Sequence, residues 1–291
     1  MHGNNLYDAI VIGGGPAGST AAAILASKGR SVVLLEKEKF PRYHIGESLL
    51  PYTYFPLQRM GLVDRMKTSH FPKKYSVQFV SVDGRASQPF YFFTHLKHEA
   101  ACTWQVLRSE FDQMLLDNAR AKGAEVQDQT MVREMIQENG VVTGVRAVGK
   151  NGKTLEFHAP IAIDASGRDA FAVTRKGWKV RDPYLNKIAV WTYYQGALRD
   201  PGLDRAPPPL LTSPRRAGSG TFRCLKISLV LAQLPKRLTS TTARETLHLS
   251  FIARWQTIPG SSSTWRPAGR PARIGSRENI PIVPAIALPM D

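Results

Sequence analysis

Three glycines near the N-terminus have the spacing of a phosphate-binding turn. Gly13, Gly15 and Gly18 form G-x-G-x-x-G directly after the apolar run "AIVI" and at the start of an alanine-rich stretch. The first glycine of such a turn permits a tight bend, the second admits a pyrophosphate close to the backbone, and the third lets helix and strand pack closely. Pro16 and Ala17 would begin the helix, whose free N–H groups and dipole attract phosphates. We predict that these five residues bind a dinucleotide.

An acidic residue ends the second predicted strand. The run "SVVLLE" ends in Glu36, which is 18 residues after Gly18. That is about where an acid accepts hydrogen bonds from an adenosine ribose, so Glu36 is a predicted cofactor-binding residue. The order strand, glycine turn, helix, strand and acid predicts an α/β fold with a Rossmann-like parallel sheet.

The loop after Glu36 carries groups suited to a second phosphate contact. In "FPRYHIGESLLP", residues 40–51, Arg42 could reach a phosphate, and the turn that ends in Ser48 could present backbone N–H groups to one. Glycine and proline also mark loops that bind nothing, so a plain connecting loop is the alternative.

Composition and charge exclude few classes of protein. The chain has 291 residues, of which 43% are apolar, enough for one large domain or two smaller ones. Its two cysteines and seven histidines show neither a disulfide framework nor metal-ligand spacing. The start "MHGNNLYD" lacks the apolar region of a signal peptide, and no apolar run is long enough for a membrane span. These absences favour a soluble cytoplasmic protein without a membrane partner.

Four segments in this order resemble the flavin-dependent halogenases and, more broadly, the FAD monooxygenases and geranylgeranyl-reductase-like proteins. They are "GGGPAGSTAA", "FPRYHIGESLLP", "VLRSEFDQMLLDNARAKGAEV" and "IDASGR", and the resemblance spans residues 6 to about 204. It implies FAD as the cofactor, used as FADH2, with halide and O2 as co-substrates. It also implies a separate flavin reductase as a partner.

The resemblance assigns further cofactor-binding residues. Arg108 would lie near the flavin, although a solvent-facing arginine on the predicted helix is the alternative. That helix leads to a strand near the adenine, for which Val132 is the candidate. Asp164 and Gly167 belong to the turn after the strand that passes beneath the cofactor. Gly167 would permit close approach of the backbone, while the main role of Asp164 could be to order the turn.

A lysine beyond the "GESL" loop is the catalytic candidate. Halogenases of this type use such a lysine to hold or become the halogenating species, and the F-x-x-K arrangement from Phe71 selects Lys74 over Lys73. An amine can hydrogen-bond hypohalous acid or form a haloamine with it, and a low-dielectric site would keep part of the amine neutral. A solvated lysine pair at the start of a strand is the alternative.

The resemblance implies an oxidoreductase that halogenates an aromatic or other electron-rich small molecule. An FAD-dependent monooxygenase or a geranylgeranyl-reductase-like enzyme is the alternative, and neither would need halide or Lys74. The expected fold is α/β: a truncated Rossmann-like FAD-binding domain with an inserted antiparallel substrate sheet, whose hairpin turns at Asp83–Gly84. We expect the FAD-binding domain at residues 1–70 and 101–175, the substrate sheet at 71–100 and 176–204, and a tail at 205–291.

The tail differs in composition from the rest of the chain. Residues 205–291 contain 13 Lys and Arg against 3 Asp and Glu, and 11 of the 20 prolines. This segment therefore carries most of the net charge of +16. Its irregular pattern predicts disorder. A basic module that makes the chain a non-catalytic FAD-binding or nucleic-acid-binding protein is one interpretation, although we expect no specific nucleic-acid partner.

A shifted reading frame explains the tail differently. The Trp-x-Trp-x-Ile-Pro signature of the halogenases is missing from this chain. Codons exist for residues 212–232 that, read one base earlier, encode "YVPEKGWFWYIPLPEDIVSVG", which contains that signature. We therefore predict that residues 205–291 are a frame-shifted translation, that their charge is accidental, and that the activity of the chain as written is doubtful.

Overall fold

A computed structural model of the chain describes residues 6–80 and 87–180, residue 203, and the backbone of five strands beyond residue 186. The α-helices in these residues are α1 (Pro16–Ser27), α2 (Tyr54–Met60), α3 (Val63–Lys67), α4 (Arg108–Ala121) and α5 (Phe171–Arg175). Short 3₁₀ turns occur at Pro51–Thr53, Phe92–Thr94, Glu99–Ala101 and Gly167–Asp169. Within this described part of the chain, no helix combines the length and the apolar character needed to cross a membrane.

The strands form four sheets, and the chain divides into two compact units. The strands are β1 (Ala9–Ile12), β2 (Val32–Leu35), β3 (Lys73–Lys74), β4 (Ser76–Val80), β5 (Phe90–Tyr91), β6 (Thr103–Trp104), β7 (Glu125–Gln127), β8 (Met131–Glu138), β9 (Val141–Val148), β10 (Thr154–His158), β11 (Ala162–Asp164), β12 (Lys187–Gln195), β13 (Pro209–Thr212), β14 (Gly218–Arg223), β15 (Ile227–Pro235) and β16 (Ile286–Met290). The first unit contains Met1–Gly46, Tyr54–Thr68 and Val106–Val180. The second contains Glu47–Thr53, Ser69–Gln105 and Arg181–Asp291.

A parallel sheet forms the centre of the first unit. Its strand order is β11-β1-β2-β7, and β1 pairs in parallel with both β2 and β11. Every residue of β1 and β2 is buried, which is why these strands are apolar throughout and do not alternate. The predicted strand, glycine turn, helix and second strand are therefore all present.

An antiparallel meander packs on one face of this sheet. Strands β8, β9 and β10 follow one another with antiparallel pairing. Asn139 and Gly140 connect β8 to β9 with φ angles of 50° and 81°, and two positive φ angles in a row are typical of a tight type I′ hairpin. The two sheets share one hydrophobic cluster, formed by Ile10, Ile12, Val33, Leu35, Val132, Val145, Ala147, Phe157, Ala159 and Phe171.

Helices α1 and α4 pack against each other in the same unit. Ala22 and Ala23 of α1 are buried, and their small side chains allow the helices to approach closely. Helix α4 buries Phe111 and Leu115, and the chain turns after it at Gly123, whose φ is +98°. The predicted helix is therefore present, and it places Arg108 in its first turn.

The second unit contains a seven-stranded sheet in the order β16-β12-β15-β14-β13-β4-β5 and a small β3–β6 pair. The antiparallel β4–β5 pairing agrees with the predicted hairpin, but the Asp83–Gly84 turn lies outside the described residues.

Part of the predicted tail belongs to this sheet. The expectation of an irregular chain fails for the described part of residues 205–291, because β13, β14, β15 and β16 all lie there. The segment "ISLVLAQLP" is mostly apolar and does not alternate regularly, so a search for alternation misses it. The rest of the predicted tail lies outside the described residues.

Candidate cofactor and catalytic sites

Crowding of the backbone explains why two of the three positions in the turn are glycine. Gly13 has φ +105°, and a Cβ atom there would lie 2.5 Å from the carbonyl oxygen of Ala165. A Cβ on Gly18 would lie only 1.9 Å from the carbonyl oxygen of Gly13. Both distances are far below van der Waals contact, so neither position accepts a side chain without movement of the backbone. The turn after β11, the glycine turn and the start of α1 are thus packed into one unit.

The start of α1 leaves polar groups free near Gly15. Gly15 is the N-cap and Pro16 the first helical residue, which is where a missing N–H costs nothing. The first helical hydrogen bond of α1 runs from Ser19 N to Gly15 O, so the N–H groups of Ala17 and Gly18 have no partner within the helix. The open side of Gly15 faces Arg42, since an added Cβ would lie 3.4 Å from Arg42 Nη2.

Glu36 is tied to the glycine turn. Its side chain is buried, with 4% exposed. Oε2 accepts a hydrogen bond of 2.6 Å from Gly14 N, and Oε1 accepts one of 2.7 Å from Glu38 N. Each oxygen of a carboxylate can accept more than one hydrogen bond, so Glu36 keeps acceptor capacity for a ribose hydroxyl.

Arg42 and Arg108 converge on a buried aspartate, Asp112. Arg108 donates from Nε to Asp112 Oδ1 at 2.7 Å and from Nη2 to Oδ2 at 2.9 Å, while Arg42 Nη1 lies 3.4 Å from the same Oδ2. Arg108 Nη1 also donates to the carbonyl oxygen of Ile45 at 2.7 Å. The side chain of Arg108 is therefore buried and held by the protein, so the alternative of a solvent-facing arginine is wrong.

Sequence reasoning missed Asp112. The available signal was its spacing: Arg108 and Asp112 are four residues apart in a predicted helix, where side chains face each other. The contact with Arg42 had no local signal, because Arg42 lies in the loop after β2.

The remaining predicted cofactor residues of the first unit have different surroundings. Asp164 orders the turn after β11: Oδ1 accepts from Ser166 N at 3.0 Å and Oδ2 from Ala172 N at 2.7 Å. Gly167 has φ +63° in the same turn after β11. This turn also contains Ala165, whose carbonyl oxygen crowds Gly13. Val132 lies in the hydrophobic cluster between the two sheets, so its side chain is not among the groups around the glycine turn.

The residues of the first unit fit FAD. The helix start at Gly15 combines free N–H groups with the guanidinium of Arg42, and both suit a pyrophosphate. Arg42 Nη1 is buried and makes no hydrogen bond to the described residues, so the protein leaves a donor unused there. Glu36 supplies the acceptor expected for a ribose.

Lys74 and Ser48 meet in the second unit. Lys74 Nζ donates a hydrogen bond of 2.6 Å to Ser48 Oγ, and it lies 5.7 Å from the centre of the Phe92 ring. Lys74 is 4% exposed, whereas Lys73, its neighbour in β3, is exposed. The alternative of two solvated lysines is therefore wrong for Lys74. The side chain of Ser48 contacts the lysine, whereas the sequence prediction concerned backbone N–H groups of the turn that ends in Ser48.

Burial changes the acid–base chemistry of Lys74. Removal of the amine from water lowers the pKa of Lys74 from 10.5 to about 8. The Ser48 hydroxyl can accept a hydrogen bond from either protonation state of the amine, so it orients the nitrogen without fixing its charge. Near pH 8, the Lys74 side chain is consequently a neutral, nucleophilic amine in a substantial fraction of the molecules.

A family model described as "FAD binding domain" matches residues 6–188, well over half of the chain. The chain belongs to this FAD-binding family. Its relatives include the 1H-pyrrole-2-carbonyl peptidyl-carrier protein chlorinase of Pseudomonas fluorescens, 32% identical over 206 residues, which are 65% of this chain and 45% of the relative. The corresponding brominase of Pseudoalteromonas luteoviolacea is 36% identical over 198 residues, or 67% of this chain and 46% of the relative.

A solved halogenase structure is also similar to this chain. The myxobacterial chondrochloren halogenase CndH superposes with a TM-score of 0.71 at 30% identity, covering 86% of this chain and 57% of that structure. The resemblance to flavin-dependent halogenases, the α/β fold class and FAD as the cofactor are thereby confirmed. The chain spans about half the length of these two curated relatives.

Proposed function

We propose that this protein is an FAD-dependent halogenase that transfers electrophilic halogen to an electron-rich aromatic small molecule. The observation that carries this proposal is the buried amine of Lys74, hydrogen-bonded to Ser48 and free of any ion pair with the described residues. A monooxygenase or a reductase of the same fold has no use for such an amine. The names of the chlorinase and brominase relatives support the same chemistry.

The cofactor would be held mainly by the glycine turn and the polar groups around it. The N–H groups at the start of α1 and the guanidinium of Arg42 would bind the pyrophosphate, and Glu36 would bind the adenosine ribose. The remaining proposed cofactor-binding residues are Ser48, which was predicted from its loop, and Arg108, Val132, Asp164 and Gly167, which were assigned through the resemblance.

Lys74 would handle the halogen. When bound, reduced FAD would give two electrons to O2 and halide would give two more, so that one oxygen atom leaves as water and the other forms hypohalous acid. The neutral amine of Lys74 would take up the halogen as a haloamine and release water, or would hold the acid by a hydrogen bond. An electron-rich ring then takes the halogen and loses a proton, which leaves the amine as it began. Ser48 would keep the nitrogen oriented through this exchange.

The substrate class follows from that chemistry. Electrophilic halogen reacts with rings that carry electron-donating groups, such as pyrroles and phenols. Two relatives are named for pyrrole-2-carbonyl groups attached to a peptidyl-carrier protein, so a carrier-bound substrate is included in the proposal. A separate flavin reductase would supply FADH2.

The experiment compares two neighbouring lysines. Lys74→Ala and Lys73→Ala proteins would be given FAD, a flavin reductase, NADH, O2, bromide or chloride, and a panel of pyrroles and phenols. We expect Lys74→Ala to lose halogenated product, detected by mass spectrometry, while FADH2 oxidation continues. Lys73→Ala, with its change on the exposed side of β3, should match the unmodified protein.

Two outcomes would contradict the proposal. Equal product from Lys74→Ala and Lys73→Ala would remove Lys74 from the mechanism. Hydroxylated or reduced product without halogenation would favour the monooxygenase or reductase alternative.

We propose in addition that the reading frame of the gene shifts near codon 204. The same assays should therefore also be run on the protein that is encoded when the bases are read one position earlier from that codon. The base sequence tests this directly. An early stop codon, or no Trp-x-Trp-x-Ile-Pro string in the earlier frame, would exclude the shift, and the basic tail would then need an explanation as a module of its own.

A further inference from the structure

One buried carboxylate joins two arginines from separate segments of the first unit. Asp112 has no exposed surface. Both of its oxygens accept hydrogen bonds from Arg108, and Oδ2 lies 3.4 Å from Arg42 Nη1. A carboxylate fully removed from water is costly unless it is paired, so these contacts offset the cost of burying Asp112.

Arg42 is held on three sides, and its Nη1 makes no hydrogen bond to the described residues. Its guanidinium carbon lies 4.8 Å from the centre of the Phe40 ring, and its Nε lies 3.3 Å from Glu38 Oε2. Glu38 is half exposed, so solvent weakens that ion pair, whereas Asp112 is completely buried. Asp112 is therefore the stronger of the two carboxylate contacts that determine where the guanidinium lies.

We propose that Asp112 is a positioning residue for the cofactor site, which holds the guanidinium of Arg42 beside the start of α1. The route runs from Arg108, which fixes both oxygens of Asp112, to Arg42 and then to the open side of Gly15. A planar guanidinium that is oriented in advance loses less entropy when it pairs with a phosphate. The proposal rests on the role of Arg42 in pyrophosphate binding proposed above.

Removing the charge of Asp112 distinguishes two explanations, because positioning of Arg42 and simple electrostatics predict opposite changes in FAD affinity. Two arginines and one aspartate leave a single net positive charge in the cluster. If Asp112 only cancelled charge, its removal would leave one more positive charge near the pyrophosphate and FAD would bind more tightly. If it positions Arg42, its removal weakens FAD binding.

The first test measures the affinity of the chain for FAD by quenching of flavin fluorescence, with no turnover involved. Asp112→Asn keeps the size of the side chain and removes its charge, and we expect roughly tenfold to hundredfold weaker binding, the value of one or two charge-assisted hydrogen bonds. Asp117→Asn is the matched control: the same change on the same helix, at an exposed residue that accepts from Arg120. Unchanged or tighter binding by Asp112→Asn would overturn the proposal.

A double-mutant cycle separates positioning from general damage to the structure. Arg42→Met alone should weaken FAD binding, but it should change little in the Asp112→Asn background, where the guanidinium is already misplaced. Additive losses would overturn the positioning role and leave the phosphate role of Arg42 intact. No loss from Arg42→Met in the unmodified chain would overturn the phosphate role and the positioning role together.

A second variant background controls for destabilisation of the fold by Asp112→Asn. In Arg108→Gln/Asp112→Asn both buried charges are replaced by amides that can hydrogen-bond each other, so no buried charge is left unpaired. Arg42→Met should again have little effect on FAD affinity there. A loss as large as in the unmodified chain would contradict the proposal.

Discussion

The two units each bury a cation, and they treat it in opposite ways. Arg108 in the first unit is 8% exposed and pairs with Asp112 through two short hydrogen bonds. Lys74 in the second unit is 4% exposed, yet within residues 6–80 and 87–180 its contacts are the Ser48 hydroxyl and the Phe92 ring, with no carboxylate. Equal burial thus accompanies full pairing in one unit and no ion pair in the other.

The residue types explain the difference. Arginine stays charged at any physiological pH, so a buried arginine needs a counter-ion. Lysine can lose its proton, and burial alone lowers the pKa of Lys74 to about 8. The pairing of Arg108 therefore suits a site that must keep its charge for binding, while the unpaired Lys74 suits a site that needs a neutral amine. Replacing each cation by a neutral side chain should change stability in opposite directions.

The largest effect is expected from Arg108→Met. This change leaves the carboxylate of Asp112 buried with only the longer contact to Arg42, and we expect a loss of about 3–5 kcal/mol in the free energy of unfolding. Urea denaturation measures it. The control is Arg120→Met on the same helix, where the ion pair with Asp117 is exposed. Equal losses from the two variants would mean that burial of the pair has no importance.

Gly18→Ala should have the next largest effect. Its methyl group would overlap the carbonyl oxygen of Gly13, and relief requires a shift of helix α1 or of the turn, at a cost of about 3 kcal/mol. The same denaturation measurement applies, with FAD affinity as a second readout. Ala26→Ser adds one heavy atom at a partly buried position near the other end of the same helix and serves as the control. A stable Gly18→Ala chain with normal FAD affinity would show that the turn can widen.

Lys74→Met should stabilise the chain near pH 7. The lowered pKa corresponds to a penalty of about 3 kcal/mol for burying the charged amine, and loss of the Ser48 hydrogen bond offsets about 1 kcal/mol, so a gain of about 2 kcal/mol remains.

The stability gained in Lys74→Met should depend on pH. Between pH 8 and 10.5 the unfolded chain binds the proton and the folded chain does not, so the unmodified protein gains stability as pH rises. The advantage of Lys74→Met should therefore shrink over this range and become a deficit of about 1 kcal/mol above it, because the loss of the Ser48 hydrogen bond remains, as measured by denaturation at each pH. An advantage that is constant with pH would contradict the unpaired, shifted lysine.

The smallest effect is expected at an exposed ion pair. Lys37 and Asp169 form a salt bridge in the first unit, with both side chains about half exposed. Because water and salt screen such a pair, Asp169→Asn should change the free energy of unfolding by less than about 0.5 kcal/mol. A loss comparable to that of Arg108→Met would show that pairing alone, without burial, decides stability in this unit.

Much of the first unit could be predicted from the sequence. The glycine turn from Gly13 to Gly18 and the strand and helix on either side of it depend on residues close together in the chain, so local pattern and glycine spacing indicated them. The four strands beyond residue 205 were not predicted, since a strand is stabilised by partners distant in sequence, and β13 pairs in parallel with β4.

The sequence by itself determined the chemistry that is available: a phosphate-binding turn, the acid Glu36 after the second strand, and two adjacent lysines. Only the tertiary structure decided which groups lose water and what they meet. It buries Lys74 beside Ser48 and leaves Lys73 exposed, and it brings Arg42 to Asp112 across 70 positions of the chain. The physical reason is that charge and pKa depend on desolvation and on neighbours distant in sequence, which no local spacing of residues records.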